Sequence, residues 1–187
     1  KRQKWMFTNF DCSVYFVKNA SHLIKSFEIL PEYLKTTSRG SVNDYRDWGV
    51  PLGRRFRALK LWFVLRSFGV AGIQERLRSH IALNTYFSKE IQKVSSLELA
   101  LEPFLNFTSF RLHPQGVDDL QVLNSINEAL LDEINHRGKI FLTHTKIHGL
   151  YTLRMIIGQT YVEKHHIDLA LEEIKSVLER VLQKSLH

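Results

Sequence analysis

The strongest constraint on this chain is the way its apolar spacing alternates between periods of two and of three to four after Ser95. Residues 97–103 and 107–112 are short runs of strand-forming side chains with a turn expected near Asn106. Leu120, Leu123, Ile126, Leu130 and Ile134 then mark one face of a helix. Asp118 and Asp119 stand near its start, where carboxylates favour the helix dipole, and Gly138 stops it. Residues 140–145 and 151–157 read as two more strands around Gly149. The capping-box pattern Thr160-x-x-Glu163 predicts a last helix with the stripe Ile167, Leu171, Ile174, Leu178 and Val181. The order strand, strand, helix, strand, strand, helix predicts a small α/β unit with an antiparallel sheet and helices on one face.

The first half reads differently. Residues 5–17 place Phe10, Cys12, Val14 and Phe16 at period two, which predicts one or two strands, followed by a polar stretch from Asn19 to His22. Residues 30–50 lack sustained periodicity and are rich in Ser, Thr, Asn, Asp and Gly; loops of that length in compact domains are commonly functional or mobile. Pro51, with its fixed φ, is expected to open a helix that ends at Gly69. A second helix is expected over 72–94, with Ile73, Leu77 and Ile81 facing inward. The two helices lead from one domain toward another.

At 187 residues the chain can bury a core, and 44% hydrophobic with 24% charged residues is ordinary for a soluble globular protein. No apolar run reaches the roughly 20 residues of a membrane span, and no signal-peptide layout is present, so a cytoplasmic protein without membrane contact is expected. The single cysteine, Cys12, agrees with a reducing compartment. The net charge of +7 raises the question of nucleic acid. The densest basic run, Gly53-Arg54-Arg55-Phe56-Arg57-Ala58-Leu59-Lys60, is interleaved with apolar residues at helical spacing, so a helix with a basic face is expected and a nucleic-acid partner is not.

Motifs narrow the chemistry. His144 and His148 are four apart, but Gly149 and the β-branched context argue against a helix that would aim both at one metal, and the adjacent His165 and His166 are not expected to face one site. No metal centre is therefore expected. Phosphate-loop, dinucleotide and GxSxG signatures are missing from the sequence. What remains is Lys4, directly before Trp5, with Tyr33 and the segment Asp44-Tyr45-Arg46-Asp47-Trp48. Singly, these read as a strand-edge lysine, a loop tyrosine and a polar turn.

Together they carry a resemblance. Lys4-Trp5, Asn9-Phe10-Asp11-Cys12-Ser13, Pro31-x-Tyr33-Leu34-Lys35, Asp44-Tyr45-Arg46-x-Trp48 and the run from Pro51 to Val64 (PLGRRFRALKLWFV) resemble the group II pyridoxal-phosphate (PLP)-dependent decarboxylases. Within that group they resemble the aromatic-L-amino-acid decarboxylase branch. The resemblance runs from Lys4 to the last helix and is most specific up to Phe68. It implies the C-terminal part of a fold type I PLP-dependent enzyme: residues 1–94 as the end of the large cofactor-binding domain, with a mobile loop at 30–50, and 95–187 as the small α/β domain.

The implied activity is that of a carboxy-lyase releasing CO2 from an aromatic L-amino acid, with pyridoxal 5'-phosphate as cofactor and a homodimer as the assembly. Lys4 would be the Schiff-base lysine, Trp5 and Phe10 its close packing, and Tyr33 the proton donor on the mobile loop. A phenylalanine at that last position is the mark of related aldehyde synthases, so Tyr33 implies decarboxylation. Gly53 matches a position that approaches the partner subunit's active site. Arg46, Arg54, Arg55 and Arg57 are then expected to pair with carboxylates within the fold and the dimer, which suits the planar guanidinium. The resemblance covers about two-fifths of such an enzyme, so the isolated chain is expected to be inactive; the alternative is a non-catalytic dimerisation module. One departure stands at the start: Lys1-Arg2-Gln3 replaces the family's histidine before the lysine, and a truncation, frameshift or junction is expected there.

Overall fold

A computed structural model of the chain describes residues 5–9, 11–28, 45–51 and 53–185. It divides into two compact units, Lys1–Gly69 and Val70–His187. Helix α1 (Ala20–Phe27) and helix α2 (Arg57–Gln92) precede strands β1 (Leu97–Leu99) and β2 (Phe107–Leu112), helix α3 (Leu120–Arg137), strands β3 (Thr143–Ile147) and β4 (Leu150–Ile156), and helix α4 (Lys164–Ser185). A 3-10 turn at Tyr45–Trp48 lies between the first two helices. The unit boundary falls inside α2, where Gly69 leaves helical geometry at φ 65°, ψ 175°. That break is the stop expected at Gly69, because a positive φ is open to glycine and rarely to other residues.

The second unit holds the antiparallel sheet that its spacing predicts, four-stranded and in the order β1-β2-β4-β3. Strand β2 occupies the bounds expected for it. Phe110 and Leu112 of β2 and Tyr151 and Leu153 of β4 project into one core with Phe87 and Ile91 of α2, Leu130 and Ile134 of α3, and Ile167, Leu171, Ile174 and Val177 of α4. Ser109, Arg111, Thr152 and Arg154 alternate onto the opposite face, because successive side chains of a strand point to opposite sides. There Arg111 pairs with Glu98, which also takes the ring nitrogen Nδ1 of His113 at 2.9 Å. Helix α3 ends as expected at Gly138, in the left-handed region at φ 70°. The β3–β4 hairpin closes through His148 and Gly149, with φ of 49° and 83°, both positive as a two-residue hairpin of right-handed twist requires.

Three asparagines of α3 bond to the backbone of the sheet and the segment leading into it. Pairing of β2 with β4 stops at Phe110↔Leu153. Two residues on, the Leu112 N–H donates to Asn127 Oδ1 at 2.7 Å, and Asn127 Nδ2 donates back to the Leu112 carbonyl at 2.8 Å. Asn124 accepts from the Tyr151 N–H, and Asn135 both accepts from and donates to Leu142. Each side-chain amide supplies the donor and acceptor of a missing peptide neighbour.

Several expectations are corrected. Residues 5–17 form no strand among the described residues, because no second strand lies beside them to complete a ladder. The polar stretch beginning at Asn19 is instead a helix, α1, capped by Asn19 Oδ1 accepting from the Ser21 N–H at 3.0 Å. Pro51 does not open α2, which starts six residues later at Arg57; Gly53 and two arginines at the positive end of a helix disfavour an earlier start. The last helix starts at Lys164, not at the Thr160 box. The Glu163 N–H there donates to Nδ1 of His166 at 3.1 Å, the reach-back that a glutamate makes in a capping box. His165 and His166 do come together, their ring centroids 3.7 Å apart, with the Glu163 N–H on His166 and a Glu163 carboxylate oxygen 3.4 Å from His165.

Candidate active site

The site residues fall in the first unit. Lys4, Phe10 and Tyr33 lie outside the described residues, as do most of the loop at 30–50 and Asp44. Trp5 is half-buried, and its indole Nε1–H is buried with no acceptor among the described residues. A buried donor without a partner is uncommon and marks a place where a further acceptor belongs.

The chain turns sharply just after Trp5. Phe7 has φ of 47°, a left-handed conformation rarely adopted by a bulky residue. Its ring stands edge-on to Phe68 with centroids 6.0 Å apart. The next residue, Thr8, is buried, its hydroxyl donating to the Met6 carbonyl at 3.0 Å. Three residues further on, Asp11 Oδ2 accepts from Arg57 Nε at 2.8 Å, and Lys60 lies 3.9 Å from the other carboxylate oxygen. The hydrogen bond from Arg57 holds the Asp11 carboxyl below its ordinary pKa. Cys12, buried, directs its thiol at the Arg57 carbonyl across 3.7 Å.

The other arginines behave in part as expected. Arg46 Nε donates to the buried Asp47 at 3.0 Å within the 3-10 turn. Arg54 lies over Gly49, where a Cβ would fall 2.6 Å from the guanidinium, so this glycine makes room for the arginine. Gly53 is exposed, and a Cβ built there meets nothing within 4 Å; nothing among the described residues demands a glycine at that position. Asp11 and Cys12 were visible in the sequence only as parts of a motif. Their contacts to one residue 45 and 46 positions away are set by the fold, which no local pattern encodes.

With this geometry in view, the comparisons identify the family. The family model for the pyridoxal-dependent decarboxylase conserved domain matches residues 1–113, and the chain belongs to that family. It is 40% identical over 183 residues to tryptophan decarboxylase 2 of Oryza sativa subsp. japonica, a match covering 97% of this chain and 37% of that protein. It is 39% identical over 181 residues to the aromatic-L-amino-acid decarboxylase of Drosophila lebanonensis, covering 97% of this chain and 43% of the relative. The crystal structure of Oryza sativa TDC with PLP and tryptamine superposes with a TM-score of 0.79 at 32% identity, over 88% of this chain and 34% of that one. The chain thus spans well under half the length of the relatives it matches.

Pyridoxal 5'-phosphate is the cofactor of this family, and the residues present fit it in part. The indole N–H of Trp5, next in sequence to the candidate lysine, is a buried donor without an acceptor among the described residues. Among the described residues no glycine-rich turn offers a phosphate cradle.

Proposed function

We propose that this chain is the C-terminal portion of a PLP-dependent decarboxylase that acts on aromatic L-amino acids, releasing CO2 and an amine. The observation that carries the reading is Lys4-Trp5 followed by the arginine-rich run 51–64, both inside the region matched by the family model. When bound, the cofactor supplies an electron sink for the pair left behind as the carboxylate departs. Lys4 holds the cofactor through its amine. Trp5 and Phe10 would be its neighbours, with the buried indole N–H of Trp5 a donor free to serve the bound group. Tyr33 gives its phenolic proton to the carbon that has lost the carboxylate, and the loop at 30–50 excludes water while it does so.

A homodimer belongs to the proposal. Phe56, Trp62 and Phe63, at 74, 53 and 58% exposure, form an apolar surface at the start of α2 suited to a second copy. Gly53 leaves space for the partner beside it. The cytoplasm is the proposed compartment, on the strength of the lone cysteine. The chain spans 37% of the Oryza sativa relative's length, and by itself is proposed to be inactive.

Borohydride reduction of the full-length, PLP-loaded protein followed by peptide mapping tests the assignment. The pyridoxyl group is expected on Lys4, and Lys4→Ala is expected to abolish CO2 release. Tyr33→Phe is expected to divert product from amine to aldehyde. An adduct on another lysine, or CO2 release retained by Lys4→Ala, overturns the reading. The same exposed apolar surface also favours a non-catalytic dimerisation module; that reading gains if the full-length protein forms no lysine adduct while the chain self-associates in sedimentation.

A further inference from the structure

We propose that Asp11 and Arg57 are positioning residues, a clasp that fixes the segment following Lys4 onto the first turn of α2 and so sets where the lysine amine stands. The inference rests on the assignment of Lys4 as the cofactor lysine.

Residues 5–18 have no strand ladder among the described residues, so their placement depends on a few discrete contacts. Two of these converge on one residue. Arg57 takes the Asp11 carboxylate with its side chain at 2.8 Å and the Cys12 thiol with its backbone carbonyl at 3.7 Å. Lys60, nearly one turn further along the same helix, adds a second positive charge at 3.9 Å. At the other end of the segment, Phe7 is held at positive φ with its ring against Phe68, also on α2. Phe7 and Asp11, three and seven positions after Lys4 in sequence, are thus both referred to the helix. Strained backbone persists where surrounding contacts over-determine it, and such contacts cluster near reacting groups.

The chemistry needs this. A displacement of about 1 Å in a reacting group costs up to about 100-fold in rate. An exposed ion pair contributes little to global stability, so a clasp that works by positioning separates from one that only stabilises. Asp11 and Arg57 side chains are 38% and 41% exposed, which puts this pair in the weakly stabilising class.

The experiment uses the full-length PLP-loaded protein with Asp11→Asn, Arg57→Ala, Arg57→Lys and the swap Asp11→Arg with Arg57→Asp. The first two are expected to lower kcat about ten-fold with KM changed by less than about two-fold, as for a misplaced reacting group. They are also expected to shift the pH midpoint of the cofactor's visible absorbance band. Arg57→Lys and the swap are expected to recover most of both. In the cofactor-free protein, the amides of residues 11–18 are expected to exchange faster in Asp11→Asn. Unchanged kcat and band midpoint in Asp11→Asn, or a fall in Tm alone, overturns the clasp while leaving Lys4's role intact. Mapping of the unmodified protein exposes the other failure separately, since an adduct away from Lys4 removes the underlying assignment before any clasp variant is made.

Discussion

Asn127→Ala isolates the part of the fold that α3 contributes through hydrogen bonding. Asn127 is 1% exposed and makes three bonds: to the Leu112 carbonyl at 2.8 Å, from the Leu112 N–H at 2.7 Å, and to the Leu123 carbonyl at 2.7 Å. The last loss is minor, because that carbonyl lies within α3 and can still accept from the helix backbone. The first two leave a donor and an acceptor of Leu112 unpartnered, at a residue that is itself fully buried. Each buried orphan costs about 1–3 kcal/mol, so the substitution is expected to cost roughly 2–5 kcal/mol, a large share of a small domain's stability. Asn124→Ala, at a half-buried site, orphans the N–H of the buried Tyr151 while its other partner, the Gly149 carbonyl, is exposed to water, and is expected to cost about 1–2 kcal/mol. Asn135→Ala, which frees both groups of the buried Leu142, falls between. Urea denaturation of the chain followed by far-UV circular dichroism ranks the three. Equal losses, or a loss below about 1 kcal/mol for Asn127→Ala, refute the claim that α3 completes the sheet's hydrogen bonding.

Two further outcomes are expected. His80 is buried with Nε2 3.0 Å from the Gln159 carbonyl, and burial pushes its pKa below the ordinary 6.5. The unfolded chain therefore binds the proton first, and stability that is complete above pH 6.5 falls as pH drops toward the folded value; His80→Gln should flatten that part of a Tm-against-pH curve. His148→Asn, at φ 49° in the β3–β4 turn, should stabilise by about 0.5–1 kcal/mol, since asparagine tolerates the left-handed region better than histidine; an unchanged or lower denaturation midpoint contradicts the turn's geometry.

What could be read from the sequence follows from where each signal resides. Strand β2, the stripe of α4 and the Gly138 stop are encoded locally, in the spacing of Phe110 and Leu112, in Ile167 to Val181, and in a residue that alone accepts φ 70° without strain. The expected strand at 5–17 failed because alternation describes a face, and a face becomes a strand only beside another strand; here Cys12 is buried while Phe16 remains 81% exposed. The Thr160 box matched in letters, but residues 159–162 form a turn, with the Val162 N–H on the Gln159 carbonyl. The true cap comes from a histidine, which a pattern written for glutamate or glutamine misses. Of the candidate site, the motif residues were legible and the Asp11–Arg57 clasp was not, since the pairing depends on how the chain turns at Phe7.

The two units differ in what holds them, and the difference bears on function. The core cluster is drawn wholly from the second unit, while Cys12 is the only apolar side chain below residue 70 that is buried among the described residues. Apolar burial is the main term that offsets chain entropy, so the described part of the first unit relies on contacts of another kind. Its ordered contacts include an aspartate on an arginine, a thiol on a carbonyl, an aromatic edge contact and the Arg46–Asp47 pair. Such contacts are directional and individually weak, which suits them to fixing the place of a segment more than to driving its folding. The basic run at 53–60 fits the same account. Arg57 is engaged by Asp11 and Arg54 lies over Gly49, while Phe56 and Phe63 face outward between and beyond them. Exposed aromatic rings among arginines give that surface the composition of a protein interface, as the proposed dimer requires.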